Sequence, residues 1–301
     1  MKRPRVAVII NPVSGTGRNP AVVRQRREQA ASLLHAHGVD SAPILTERPG
    51  HGRELASALL AEGVRLVIAW GGDGTVNEVG SALAFTDAVL GIIPSGSGNG
   101  LARELGVPQQ AAAAFAAALG GDDRVMDAGE VDGRLFFNVA GFGLDARVAH
   151  AFAEDGLVRR GFAEYVRLAA RELFTFTPQP QTIVADGDTL QSTPLIVAVA
   201  NTRQYGNGAL IAPRARIDDG RLDVVIVDAR ALWRIVWHVP KLFTGGLTRV
   251  PGVHMRTAVE VVVSGSSPLL YHLDGEPCRS AGPVSVRVRP AALHVRVPKT
   301  A

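Results

Sequence analysis

The 301-residue sequence predicts an α/β chain in two parts, a parallel sheet with helices on both faces and then an antiparallel β-sandwich with helical inserts. Three observations predict it. Through the first 125 residues, short apolar β-branched runs alternate with helical stretches. Three of those runs end in glycine-rich turns, at 11–18, 71–75 and 94–99. From Val125 onward the alternation stops, and short β-branched segments follow one another between Gly, Asp and Pro.

The elements read in order. Val6–Ile10 is a strand and Ala21–His37 a helix; Ala42–Leu45 is a second strand and Gly52–Ala61 a second helix. Leu66–Trp70 and Val89–Ile93 are further strands, each feeding a glycine turn and a helix. Repetition at this spacing argues for a parallel sheet with helices on both faces. An alanine-rich helix covers 109–119, and Gly120-Gly121-Asp122-Asp123 is a break. The sandwich strands are 134–140, 182–185, 195–200, 222–228, 257–263 and 284–289, interrupted by helices near 157–174 and 230–243, with Pro240 ending or kinking the second.

Composition narrows the function classes. The chain is 47% hydrophobic, enough for a core, yet no apolar run approaches the roughly 20 residues that span a bilayer. The start, Met1-Lys2-Arg3-Pro4-Arg5, passes directly into the first strand and does not read as a signal peptide. Cys278 is the single cysteine, so no internal disulfide forms, and a cytoplasmic location is expected. Net charge is +4 without a Lys/Arg tract interleaved with aromatics, which argues against nucleic acid as a partner. The eight histidines are scattered without metal spacing.

Glycine lets a backbone turn sharply and expose N–H groups, and a helix start adds a field that favours anions. Three such turns in consecutive strand–helix units converge at one end of a parallel sheet, the layout of a nucleotide-phosphate site. The turns also carry a resemblance. Gly71-Gly72-Asp73-Gly74-Thr75-Val76-Asn77-Glu78 is similar to the nucleotide loop of the diacylglycerol kinase and sphingosine kinase superfamily, relatives of NAD kinases and phosphofructokinases. Asn11-Pro12 with Ser14-Gly15 and Gly17, and Gly96-Ser97-Gly98-Asn99, resemble its other ATP-contacting segments. Later segments follow in the family's order: Asn138–Gly143, Asn207-Gly208 through Ala212-Pro213 to Asp219-Gly220, and Leu273-Asp274-Gly275-Glu276-Pro277.

The resemblance implies a Rossmann-like ATP-binding domain over 1–125 plus about 286–301, the last strand returning to it. It implies a lipid-substrate domain over 126–285, with the active site between the two. The expected activity is transfer of the γ-phosphate of ATP, with Mg2+, to the hydroxyl of a diacylglycerol, a sphingoid base or a related lipid. Expected nucleotide contacts are Asn11, Ser14, Gly15, Thr46, Gly71, Gly72, Asp73, Gly74, Thr75, Val76, Asn77, Gly96, Ser97 and Asn99. Asp73 stands in a turn where a carboxylate has little structural purpose beyond an Asx-turn, and the resemblance implies that it serves the ATP and magnesium site and catalysis. Thr75 and Ser97 stand at helix starts, where a hydroxyl either caps the helix or meets phosphate. Glu276 is the expected general base, orienting the acceptor hydroxyl and taking its proton.

A structural magnesium is implied in the segment Arg216 to Arg221, held by the Asp219 carboxylate and nearby backbone carbonyls. Two departures bear on it: Gly100 stands where bacterial relatives usually carry Asp, and Thr16 where they often carry Lys. A small residue after Asn99 is closer to the sphingosine kinase version. Membrane-surface contact is expected from two amphipathic helices. One sets Arg160, Glu164, Arg167 and Arg171 opposite Phe162, Val166, Leu173 and Phe174; the other carries Arg234, His238 and Lys241 with Trp233 and Trp237. The same faces suit helices packed on a sandwich with solvated polar sides. Two other functions remain open: a kinase for a soluble acceptor such as NAD or a polyol, and a lipid- or nucleotide-binding protein without turnover.

Overall fold

The computed structural model describes residues 6–15, 19–39, 41–154, 162–229, 240–265 and 268–299, the side chains of 162–166 excepted. The chain divides into two compact units, Met1–Met126 with Ala291–Ala301, and Asp127–Leu157 with Gly161–Pro290.

In the first unit, β1 (Val6–Ile10), α1 (Pro20–Ala36), β2 (Ile44–Leu45), α2 (His51–Ala61), β3 (Leu66–Gly71), α3 (Asp73–Leu83) and β4 (Val89–Pro94) alternate, then α4 (Gly100–Glu104) and α5 (Ala111–Gly120) follow. The strands are parallel in the order β2-β1-β3-β4. Ile9, Ile10, Ile68, Ala69, Leu90 and Ile93 are fully buried, as a sheet covered on both faces requires. Local chemistry sets the helix starts. Asn19 accepts from the Ala21 N–H and Pro20 opens α1. For α2 the cap is distant: the Glu78 carboxylate takes the N–H groups of Gly50 and Gly52 at 2.7 and 2.9 Å.

Strand β5 (Asp122–Val131) starts immediately where the sequence suggested a break, with Gly121 only capping α5. It leads through β6 (Arg134–Phe136), β7 (Val139–Gly143), α6 (Leu144–Glu154) and α7 (Phe162–Thr175) to β8 (Gln181–Ala185), β9 (Asp188–Ser192) and β10 (Pro194–Ala200). Then come the small hairpin β11 (Gln204–Gly206) and β12 (Ala209–Leu210), β13 (Leu222–Asp228), β14 (Val253–Ala258), β15 (Glu260–Ser264), β16 (Leu269–Leu273), β17 (Glu276–Ser280) and β18 (Val284–Val297). One antiparallel sheet of the second unit runs β14-β13-β10-β7-β16-β17. Facing it are β9, β8, β15 and the first residues of β18, and both inner faces fill one core with Phe136, Phe142, Val197, Val224, Val261, Tyr271 and Val286. In the first unit, the end of β18 pairs in parallel with β4, His294 opposite Val89.

Three expectations are corrected. The run 134–140 is two strands, because the Asp274 carboxylate takes the N–H groups of Phe137, Asn138 and Val139 away from the ladder. The run 257–263 is also two strands, in different sheets; Asp186 accepts from Val259 and Glu260 where the chain switches. Helix α6 was not expected at all. Among the described side chains of α7, Leu168 and Glu172 are buried and Phe174 is 88% exposed. Glu172 receives Arg147 and Arg171. Arg160 and the 230–239 segment, with Trp233, Arg234, Trp237 and His238, lie outside the described residues, as does Thr16. Residues 240–244 are helical, and Pro240 is the first of them to be described.

Candidate functional site

In the first unit, β3 ends at Gly71 and α3 starts at Asp73, with Gly72 supplying no side-chain cap. The Val76 N–H makes the first helical bond, to Gly72, and its side chain is buried. Val76 therefore has no polar group left for a nucleotide, against the expectation. The N–H groups of Gly72, Gly74 and Thr75 have no partner among the described residues. Together with the helix field they form a ready anion site.

The other turns lock onto this one. Asn11 accepts from the Val13 N–H at 3.0 Å and donates to the Thr75 hydroxyl at 2.8 Å. Thr75 is thus not the cap of α3; its hydroxyl is held by Asn11 and keeps its own proton to donate. Ser14 and Ser95 share a hydrogen bond of 2.6 Å, and Arg26 donates to the Ser14 carbonyl at 2.9 Å. Partial burial holds the Arg26 guanidinium below its ordinary pKa. Asn99, in the left-handed region, accepts from Gly96 and donates to the Gly96 carbonyl and to Gln109. Both protons of its side-chain amide are thus taken, one within the turn and one by Gln109, so the Asn99 side chain shapes the turn.

Asp73 joins two of the turns. Its Oδ1 accepts the Gly100 N–H at 2.7 Å, a bond that ties the second turn to the third and supplies the first N–H of α4 with a partner. The carboxylate therefore has a structural task that the motif alone did not show. Gly72 and Gly96 meet so closely that a Cβ on Gly96 would lie 2.6 Å from the Gly72 Cα. Ser97 is exposed and precedes α4 by more than a cap position. Thr46 donates its N–H to the Ile10 carbonyl, which places it at the end of β1; Asn77 accepts from Ser81 on the same helix.

In the second unit, β16 and β17 are joined by a two-residue turn, Asp274-Gly275, with φ of 49° and 88°. That is the mirror-image turn that matches strand twist, and Asp-Gly is its preferred sequence. Asp274 anchors the turn on three N–H groups at 2.8 to 3.1 Å. Glu276 begins β17 with its side chain 53% exposed and 3.4 Å from Arg134. Arg134 also donates to the Cys278 sulfur at 2.9 Å. Burial pushes the Cys278 thiol above its ordinary pKa.

The segment 216–221 is shaped by buried Asp127, whose N–H reaches the Ile217 carbonyl and whose Oδ2 accepts the Gly220 N–H at 2.7 Å. Asp219 accepts from the Arg221 N–H at 3.1 Å. The guanidinium groups of Arg216 and Arg221 turn to Asp218 and Asp186, so only main-chain carbonyls of these two residues remain as metal donors. Among the described residues no group of three His, Cys, Asp or Glu side chains forms a metal site. The donors are nonetheless all oxygen, as Mg2+ prefers. Burial and the charge of Asp219 push the Asp223 carboxyl up to about 6, the electrostatics that a cation relieves.

Arg26, Glu78, Asp127, Arg134 and Asp223 were missed from the sequence. The signal available was weak: Glu78, Asp127 and Arg134 find partners far along the chain, Arg26 reaches the Ser14 turn, and the burial of Asp223 exists only in the fold.

The diacylglycerol kinase catalytic domain family matches residues 5–131, and the YegS C-terminal NAD kinase beta sandwich-like domain matches residues 138–297. A Mycobacterium tuberculosis protein named diacylglycerol kinase is 32% identical over 302 residues, 98% of this chain and 96% of that protein. A Pseudomonas aeruginosa protein named probable lipid kinase YegS-like is 33% identical over 272 residues, 89% and 88% of the two chains. The crystal structure of a diacylglycerol kinase from Bacillus anthracis superposes with a TM-score of 0.76 at 21% identity, over 99% of this chain and 98% of that one. With one domain family matching the glycine-turn half, another the sandwich, and full-length relatives at these identities, the chain belongs to the diacylglycerol kinase catalytic domain family and is an ATP-dependent lipid kinase.

Proposed function

We propose that the acceptor lipid is diacylglycerol and that the reaction consumes MgATP. The observation that carries the acceptor is the 32% identity with a relative named diacylglycerol kinase over 98% of this chain. In the reaction the acceptor oxygen forms a bond to the γ-phosphorus, the bond to the bridging oxygen breaks, and ADP leaves. The free N–H groups of Gly72, Gly74 and Thr75, and the Thr75 hydroxyl, hold phosphate oxygens. Asp73 keeps the second and third turns in register for that task. Glu276 takes the proton of the acceptor hydroxyl; its exposure leaves it accessible to substrate, and the Asp274 anchor keeps it in place.

Mg2+ would offset the triphosphate charge, and a further ion would sit on Asp219 and the main-chain carbonyls of Arg216 and Arg221. Contact with a bilayer surface is supported by Phe174, 88% exposed beside Arg171. A sphingoid base is the second reading, favoured by Gly100 after Asn99.

The test is phosphate transfer from labelled ATP in mixed micelles with magnesium, offering diacylglycerol, monoacylglycerol, sphingosine, ceramide and, in solution, NAD. Label on diacylglycerol alone is the expected result. Label on sphingosine alone overturns the acceptor in favour of the second reading, and label on NAD alone overturns a lipid acceptor. Glu276→Gln is expected to lose at least a hundredfold in kcat with unchanged ATP KM; normal turnover removes the base assignment.

A further inference from the structure

Beneath the turn that carries Glu276 lies a buried polar cluster that neither the nucleotide site nor the metal loop uses. His272, on β16, is 7% exposed at its side chain and Asp145, in the first turn of α6, is 6% exposed. The His272 Nδ1 accepts the Gly275 N–H at 3.2 Å. That bond leaves the ring proton on Nε2, which faces the Asp145 Oδ2 at 3.4 Å. The same oxygen accepts the Tyr205 hydroxyl at 2.8 Å, and Oδ1 accepts the Ala146 N–H at 2.8 Å. Space is kept for the cluster by Gly141 on β7, the partner of His272 across the sheet. A Cβ there would run into both the Asp145 carboxylate and the His272 ring.

The geometry has a direction. Tyr205 and the start of α6 fix the Asp145 carboxylate; the carboxylate fixes which nitrogen of His272 carries the proton; the other nitrogen holds Gly275, the residue before Glu276. Asp274 already supplies the fold of the turn through three main-chain bonds. The additional bond to Gly275 restrains the peptide that leads into the base. A buried network of this kind orients a group more strictly than packing does.

We propose that Tyr205, Asp145 and His272 form a positioning relay for Glu276, with His272 acting through the Gly275 N–H. The proposal rests on Glu276 being the base. None of the three touches the reacting atoms in this reading; they set the angle from which the carboxylate meets the acceptor hydroxyl, and a misplacement of about 1 Å costs on the order of a hundredfold in rate.

Two measurements test it, one of them independent of activity. Amide hydrogen exchange at Gly275 is compared in wild type, His272→Leu, His272→Asn and Tyr205→Phe. An Asn carbonyl occupies roughly the place of Nδ1, so His272→Asn is expected to keep Gly275 protected, His272→Leu to lose protection at least tenfold, and Tyr205→Phe to fall between. Equal protection in wild type and His272→Leu overturns the relay. If His272→Leu does not fold, undiminished protection in Tyr205→Phe overturns it instead.

The second is kcat on the acceptor most strongly labelled in the panel above, with and without Glu276→Gln. His272→Leu is expected to lower kcat tenfold or more with ATP KM unchanged, His272→Asn to restore most of it, and neither to matter once Glu276 is Gln. A loss of equal size in both backgrounds marks a merely structural residue and overturns the proposal. Full activity of Glu276→Gln alone defeats the base assignment, a result separable from failure of the relay because the Gly275 exchange is read without substrate.

Discussion

The Asp73 carboxylate accepts the Gly100 N–H at 2.7 Å and so joins the second glycine turn to the third. A carboxylate at a helix start contributes about 1 kcal/mol, and an isosteric amide keeps the acceptor oxygen while losing the charge. Asp73→Ala is therefore expected to lower both thermal stability, by a few degrees, and ATP affinity. Asp73→Asn is expected to hold stability within about 1 kcal/mol while ATP turnover falls at least tenfold. Calorimetry and ATP titration separate the two roles. Equal loss of stability in both variants would show that the charge, rather than the oxygen, holds the turns.

Gly96→Ala tests the approach of the same turns from the steric side. Its Cβ would lie 2.6 Å from the Gly72 Cα and 3.0 Å from the Asn99 Oδ1, so main chain must move. Overpacking of this kind costs about 1 to 3 kcal/mol. The expected phenotype is a rise of tenfold or more in ATP KM, since the displaced turn carries the N–H groups proposed for phosphate. Unchanged ATP KM would place the nucleotide elsewhere.

Asp274→Ala leaves the N–H groups of Phe137, Asn138 and Val139 without their carboxylate partner. Each unmade buried bond costs about 1 to 3 kcal/mol, and relaxation absorbs part of the sum. We expect a loss of at least 2 kcal/mol in denaturant unfolding, larger than for Glu276→Gln, whose half-exposed side chain meets Arg134 at the surface. A smaller loss in Asp274→Ala than in Glu276→Gln would reverse the roles assigned to the two carboxylates.

The parallel half was legible because its signals are local. Fully buried strands read as apolar runs, and glycine turns mark where each one ends. The sandwich was legible as a class and not in its details. Both strands misread as single runs are broken by carboxylates remote in sequence, Asp274 at 137–139 and Asp186 at 259–260. No periodicity reports a bond spanning that distance. The same reason hid parts of the site: Asp73 was singled out by its motif, but its bond to Gly100 requires two turns folded together. His272 read as one of several scattered histidines, because its neighbours Asp145 and Tyr205 come from two other elements.

Asp223 carries the pH prediction. Burial, and then the charge of Asp219, raise its carboxyl from 3.8 to about 6 in the folded chain. The folded state thus holds this proton more tightly than the unfolded one, so the contribution is greatest below about pH 4 and is lost as pH rises through about 6. The group is half-buried, and after solvent screening the effect is of order 1 kcal/mol. In chelator, Asp223→Asn is expected to flatten the decline in unfolding free energy between pH 4 and 7. Magnesium adds a second arm. An ion beside Asp219 would favour the ionised form of Asp223, so millimolar Mg2+ is expected to raise the melting temperature more at pH 8 than at pH 5, and Asp219→Ala to abolish that difference. A magnesium response of equal size at both pH values, or one that survives Asp219→Ala, would remove the ion from this loop.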